Sequence, residues 1–171
     1  MTLDYTPNDP WTWRVADARD IEDIVLLCEQ HFKSEMSDFF TPDKAYYRYQ
    51  IDLAVTNQRH NYAKELLIVA GCKESNKLLA YGWLDRGSVP YSQDALAEAK
   101  MAHIDLTLSA RTRIKLLTQM ITHWISWCNA VDIPVLLSTT IRADQTVFMR
   151  IHERLGFTVR GSYAYKRLQG E

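Results

Sequence analysis

Between Met101 and Val131 the hydrophobic spacing changes once, and that change constrains the chain more than any other feature. Residues 102–109, Ala-His-Ile-Asp-Leu-Thr-Leu-Ser, alternate apolar and polar, as a pleated strand with two unlike faces requires. Ala102, Ile104, Leu106 and Leu108 share one face; His103, Asp105, Thr107 and Ser109 share the other. After a tight turn the spacing becomes helical, with Ile114, Leu117, Ile121, Trp124, Ile125 and Cys128 in one apolar stripe. Arg111, Arg113 and Lys115 cluster at the turn and the first helical residues. Amides at a helix amino end lack partners and the dipole there favours negative charge, so basic residues at that end are mildly unfavourable without a ligand. The stretch therefore predicts an anion site on a strand-turn-helix.

The segments around it fall into order by the same reasoning. Residues 1–10 are a polar lead-in with Pro7 and Pro10. Trp11 to Ala16 reads as a strand, and Asp17 or Asp20 as the cap of a helix burying Ile21, Ile24, Val25, Cys28 and Phe32. A loop bearing Phe39 and Phe40 leads to a second helix from Asp43 to about Arg59, apolar nearly all round. Leu66 to Lys73 and Leu78 to Arg86 form a hairpin across Glu74-Ser75-Asn76-Lys77. Gly87 to Lys100 reads as a long connection, with a helical turn at Asp94 to Lys100. Ile133 to Thr139 is a further strand. Asp144 is the expected cap of a short helix with Val147, Phe148, Ile151 and Leu155 inward, and Gly156 ends it. Phe157 to Arg167 reads as a last strand pair or one long bent strand, with Gly161 at the bend. The order implies a mixed α/β layer structure whose centre is a right-handed βαβ unit.

With 171 residues and no repeat or linker, residues 1–171 are read as one domain. A net charge of −1 gives no global field toward nucleic acid. Cys28, Cys72 and Cys128 sit in apolar contexts and read as reduced core thiols, and none is spaced for zinc, so no metal is expected. The polar start has no signal-like run and no segment has the length of a membrane span, so a cytoplasmic location with no membrane partner is the expectation. Trp127 is expected to pack at an edge or an interface, and a homodimer is kept among the expected partners.

Ile151-His152-Glu153-Arg154-Leu155-Gly156-Phe157, downstream of the strand-turn-helix, resembles the closing segment of the GNAT superfamily of acyl-CoA-dependent N-acetyltransferases. The likeness covers nearly the whole chain: Trp13-Arg14-Val15-Ala16 with Asp20 resembles the family's opening strand and helix start, and the 66–86 hairpin resembles its second and third strands. It implies a splayed pair of parallel strands, here 102–109 and 133–139. The pantetheine arm of acetyl-CoA, or of another acyl-CoA, would pair with backbone at Leu106, Thr107 and Leu108, and its pyrophosphate would rest on Arg111, Arg113, Ile114, Lys115 and Leu116. The family's turn has an Arg or Gln followed by two glycines. Counting from Arg111 those positions hold Ile114 and Leu116; counting from Arg113 they hold Leu116 and Thr118. Neither register offers bare backbone, and the forked donors of arginine are expected to compensate in part. Phe148 stands where a small residue is usual, and His152 where many members have a tyrosine that protonates the departing thiolate.

Amine acylation needs a base for the incoming ammonium and an acid for the leaving sulfur. His103 and Asp105 lie two apart on one strand and form the candidate base pair; His152 is the candidate acid. Phe39, Phe40 and Tyr46, with Tyr47 and Tyr49, gather where the family places its acceptor wall and suggest a flat or apolar acceptor. The expected function is direct transfer of an acetyl or other acyl group to an amine of a small molecule or protein. Two alternatives stand beside it: a GNAT-like domain without ordinary acyl-CoA use, serving as a binding, regulatory or virion component, and an enzyme acting on a nucleobase of nucleic acid.

Overall fold

A computed structural model describes residues 8–35, 40–140 and 145–161. Within them lie β1 (Trp11–Val15), a 3-10 turn (Ala18–Asp20), α1 (Ile21–Glu35), α2 (Lys44–His60), β2 (Glu65–Cys72), β3 (Leu78–Ser88), β4 (Ala95–Ile104), α3 (Ala110–Ala130), β5 (Val135–Leu137) and α4 (Thr146–Arg154). The strands form one sheet in sequence order, antiparallel from β1 to β4 and parallel between β4 and β5. The mixed α/β expectation holds.

The sheet is covered on both faces, which is why β2 reads as a continuous apolar run rather than an alternating one. Leu66, Ile68 and Ala70 pack with Leu116, Met120, Ile121, Trp124 and Trp127 of α3. Leu67 and Val69 point the other way, toward Ile24, Val25 and Cys28 of α1 and Ile51 and Ala54 of α2. Gly82 of β3 lies under α3 so closely that a Cβ there would stand 2.7 Å from both Met120 Sδ and Trp124 Cζ2. Asp17 and Asp20 form a reciprocal capping box ahead of α1, and Asp43 caps α2 by accepting from Tyr46 N–H.

Several boundaries move. Residues 95–100, expected as connection and helical turn, are strand: Ala, Glu and Lys favour helix locally, but β3 offers a ladder reaching from Ser88↔Ala95 to Ala80↔Ile104. The strand expected over 102–109 accordingly ends at Ile104, and residues 105–109 form the turn. The strand expected over 133–139 is Val135–Leu137. A bulge at Lys100, between the rows Trp83↔Met101 and Leu84↔Ala99, inverts the facing of everything after it. Before the bulge Ala95, Ala97 and Ala99 pack toward α3; after it Ile104 packs toward α3 while Met101 packs toward α1 and α2.

Several single residues also lie elsewhere than the sequence predicts. Ile114, expected in the buried stripe of α3, is exposed, whereas Leu116 is fully buried. Trp127 is 1% exposed and its Nε1–H donates to the Tyr62 carbonyl, so it belongs to the core and not to an edge or an interface. Cys72 is half-buried at the end of β2, and only Cys28 and Cys128 are core thiols. On α4, Val147 is exposed and Gln145 occupies the cap position without a side-chain bond; Asp144 lies outside the described residues. Residues 157–161 carry no strand, and the rest of the expected last strand pair lies outside the described residues. No helix among the described residues is long and apolar enough to cross a membrane.

Candidate functional site

Three parallel rows join β4 to β5, namely Leu96↔Val135, Ala97↔Leu136 and Glu98↔Leu137. Past Glu98 the strands are no longer paired, while β4 continues to Ile104. Among the described residues this leaves the edge of β4 from residue 99 to residue 104 without a strand paired to it on the β5 side, with backbone donors and acceptors that an extended ligand could use. Leu106, Thr107 and Leu108, expected on that edge, lie in the turn beyond it. The edge next to the gap belongs instead to the residues just before them.

The turn itself is built around Asp105. Its Oδ1 accepts from Thr107 N–H and Oγ1–H, its Oδ2 accepts from Lys77 Nζ at 2.6 Å, and its own N–H donates to the Leu79 carbonyl. Burial pushes the Asp105 carboxyl up, but the Lys77 and Thr107 bonds outweigh it and hold the group below the usual carboxylate range. The expected pairing with His103 is replaced by these bonds, because the strand ends before Asp105 and the two residues no longer share a pleat. His103 sits across from Tyr81, on the α1 side of the sheet, with ring centroids at 5.3 Å from Tyr81 and 4.5 Å from His31. His31 Nε2–H in turn donates to the Ile104 carbonyl at 2.8 Å. Behind them the hydroxyls of Tyr47 and Tyr81 meet at 2.8 Å, and burial keeps both phenols and the Cys28 thiol protonated.

At the amino end of α3, Ser109 caps the helix by accepting from Thr112 N–H. Arg111 is exposed, and Arg113 Nε is buried without a hydrogen-bond partner among the described residues, the kind of orphaned donor an anion would satisfy. Lys115 does not join them: its ammonium pairs with the buried carboxylate of Asp9 and lies over the Trp11 ring. Gln119 completes that link, donating to Asp9 and accepting from the indole N–H groups of Trp11 and Trp13. Of the five residues expected at the pyrophosphate, Arg111 and Arg113 keep a side chain suited to phosphate, Ile114 is exposed beside them, and Lys115 and Leu116 are turned to the fold's own packing.

His152, on α4, is 2% exposed. Its ring lies between Phe148, at 4.0 Å between centroids, and Phe157, edge-on at 4.9 Å. Phe157 is brought there by the end of α4: Gly156 adopts φ +87°, Gly156 N–H donates to the Glu153 carbonyl and Phe157 N–H to that of His152. The Leu-Gly-Phe segment is thus a Schellman turn that folds an aromatic ring back onto the histidine. Ser138, the first residue past the last β4–β5 row, approaches His152 Nε2 at 2.8 Å. Nothing in the sequence marked it, since the contact joins residues fourteen apart through two separate elements.

Two cavities lie on the α1 and α2 side. One of about 420 Å³ is lined in part by Tyr46, Tyr47, Trp83, Lys100 and Met101, the last two side by side because of the bulge. A smaller one, about 200 Å³, is bounded by Cys28, Phe32, Lys44 and Met101. Of the expected acceptor wall, Tyr46 lines the larger cavity, Phe40 is exposed near the start of α2, and Phe39 lies outside the described residues.

No protein-family model matches the sequence, and no curated protein matches it. Solved structures do. A predicted acetyltransferase from Clostridium acetobutylicum, solved with acetyl-CoA, superposes with a TM-score of 0.68 at 13% identity, covering 92% of this chain and 96% of that one. A glucosamine-6-phosphate N-acetyltransferase from Arabidopsis thaliana gives 0.66 at 12% identity over 94% of this chain and all of the other. AAC(6')-Iy, in complex with the bisubstrate analogue CoA-S-monomethyl-acetylneamine, gives 0.67 at 13% identity over 95% and 100%. The chain has the fold of the GNAT acetyltransferases.

Proposed function

We propose that the chain is an acyl-CoA-dependent N-acyltransferase that acetylates an amine. The observation that carries this reading is the parting of β4 and β5 after Glu98↔Leu137, which leaves a strand edge running toward the basic amino end of α3. The edge suits the amide-bearing pantetheine arm, since backbone pairing is indifferent to side-chain type. Arg111 and the unsatisfied Nε of Arg113 suit the pyrophosphate. Absent glycines are consistent with phosphates held by side chains at this turn rather than on bare backbone.

Bound acyl-CoA supplies the activated acyl group; the chain's residues hold it and manage protons. His103, half-buried on the face that carries both cavities, is positioned on β4 as the base for the incoming ammonium. His152 is the group placed to protonate the departing sulfur. A small-molecule amine is the acceptor class we favour, given two cavities of small-molecule size and neighbours named as a glucosamine-6-phosphate N-acetyltransferase and an aminoglycoside antibiotic 6'-N-acetyltransferase.

Calorimetric titration with acetyl-CoA tests the reading. Saturable binding is expected, weakened roughly tenfold or more when Arg111 and Arg113 are both changed to Ala, as for loss of charge-assisted phosphate contacts. No heat at millimolar ligand would sink the proposal, and binding that survives the double change would move the phosphate site elsewhere.

A further inference from the structure

The larger cavity holds a carboxylate that the acyl transfer does not use. Glu65 opens β2 and is 6% exposed. Its neighbour Leu66 packs toward α3, so Glu65 faces α2 and the cavity. Its oxygens accept from two neutral donors, Asn57 Nδ2–H at 2.9 Å and Trp83 Nε1–H at 2.7 Å. Among the described residues no cation forms an ion pair with it. A carboxylate offers about four acceptor sites, so part of its capacity is unused. Burying such a group without a counter-charge is costly, and a cationic ligand would offset that cost.

The surroundings suit a cation. Trp83, Tyr46 and Tyr47 line the cavity, and aromatic faces attract ammonium groups. Two of the three are held in place, Trp83 by its bond to Glu65 and Tyr47 by its bond to the Tyr81 hydroxyl. Asp85, opposite Glu65 in the ladder, is answered by Lys100 Nζ at 3.0 Å. Lys100 itself reports the local field. The Asp85 hydrogen bond lifts its pKa above the ordinary value, desolvation opposes, and the charges of Asp85, Glu98 and Glu65 add to the rise. Lys64 and Arg86 border the cavity as exposed residues, and Arg86 stands opposite Ala97, on the α3 side of the sheet.

Position then separates two amines. The row Glu65↔Asp85↔Glu98↔Leu137 crosses the sheet to the last contact between β4 and β5. An amine to be acylated lies at the β4 edge beyond that row. β2 is two strand spacings away, each about 4.8 Å. An ammonium held by Glu65 is therefore a second one, which stays charged and does not react.

We propose that Glu65 and the aromatic walls of this cavity bind a second, unreactive ammonium of the acceptor, so that the chain selects diamines and longer polyamines over monoamines; this deepens the N-acyltransferase reading and rests on it.

The test is calorimetric titration of the free protein with hexane-1,6-diamine and, separately, with hexylamine, while NMR follows the indole N–H resonance of Trp83. The diamine is expected to bind about tenfold more tightly, as for one charge-assisted contact, and to shift that resonance. Glu65→Gln keeps an oxygen for one of the two donors and should bring the two affinities together; its folding is checked by circular dichroism. Tyr46→Ala, at an exposed position, should narrow the preference about threefold, as for one cation–π contact. In steady-state acetylation the preference should appear in KM with kcat unchanged, because the contact is remote from the reacting amine. Equal affinities in the wild type, or a preference unaltered in either variant, overturn the proposal. Saturable binding of acetyl-CoA to the same protein would then leave the acyltransferase reading standing. A diamine preference lost in Glu65→Gln, together with no heat from acetyl-CoA, upholds the ammonium site and removes the acyltransferase reading.

Discussion

Asp105 shows how one side chain secures a turn. Its carboxylate takes the Thr107 amide and hydroxyl on one oxygen and the Lys77 ammonium on the other, while almost fully buried. Asp105→Ala would leave a turn amide without its acceptor and is expected to cost about 1–3 kcal/mol, read as a lower urea midpoint at neutral pH. The acid dependence has a definite sign. The folded carboxyl titrates below its usual value, so its stabilisation is present above the unfolded pKa of about 3.9 and is lost as pH falls through the folded one. Asp105→Asn should therefore show a shallower loss of stability in acid than the wild type. A parallel pair of curves between pH 5 and pH 2 would refute it, on the reference value of about 3.9. The sequence marks this residue as a polar position within a strand; that it serves a turn instead depends on where the strand stops, at Ile104.

Among the elements, β3 and α3 make the contact least tolerant of change. Gly82 lets α3 approach until Met120 and Trp124 occupy the space of its absent Cβ. Gly82→Ala is expected to cost about 1–3 kcal/mol through overpacking, since the thioether of Met120 can yield but the indole of Trp124 is held in the core. Gly87→Ala, with open space around it, serves as the neutral comparison in the same thermal melts. The same helix explains the missing glycine at position 116. Leu116 is 0% exposed and fills the core beneath the turn, so its side chain is part of the packing. Ile114, 41% exposed, has no such duty. The helical period of α3 was readable in the sequence, but its phase was read from Ile114 and Leu117, whereas the buried side centres on Leu116, Met120, Trp124 and Trp127. Periodicity fixes which residues share a face; which face meets the sheet depends on what lies opposite.

At the scale of the whole molecule, the ligand reading has a thermodynamic consequence. If acyl-CoA binds only the folded chain, a concentration 100 times Kd adds about 2.7 kcal/mol to stability. For a domain of this size that corresponds to a rise in Tm of roughly 5–10 °C. Scanning calorimetry with acetyl-CoA measures it, and an unchanged Tm under saturating ligand contradicts binding to the native state. The link from Asp9 through Lys115 and Gln119 to Trp11 and Trp13 ties the opening strand to α3. It also removes one of three cations from the basic turn, a use that the sequence could not separate from phosphate binding, because a lysine offers the same charge to a carboxylate as to a ligand.

Local sequence determined the long helix, the hairpin, the aspartate caps and the glycine that ends α4, because spacing, capping side chains and positive φ act within a few residues. It also carried the likeness to the acetyltransferase fold, through the strand-turn-helix and the Leu-Gly-Phe turn. Tertiary structure alone decided that Ala95 to Lys100 is strand, since helix-favouring residues yielded to the ladder offered by β3. It decided through the bulge at Lys100 that His103 faces Tyr81. And it brought Ser138 onto His152, because a hydrogen bond between two elements depends on how they pack, and no spacing along the chain records that.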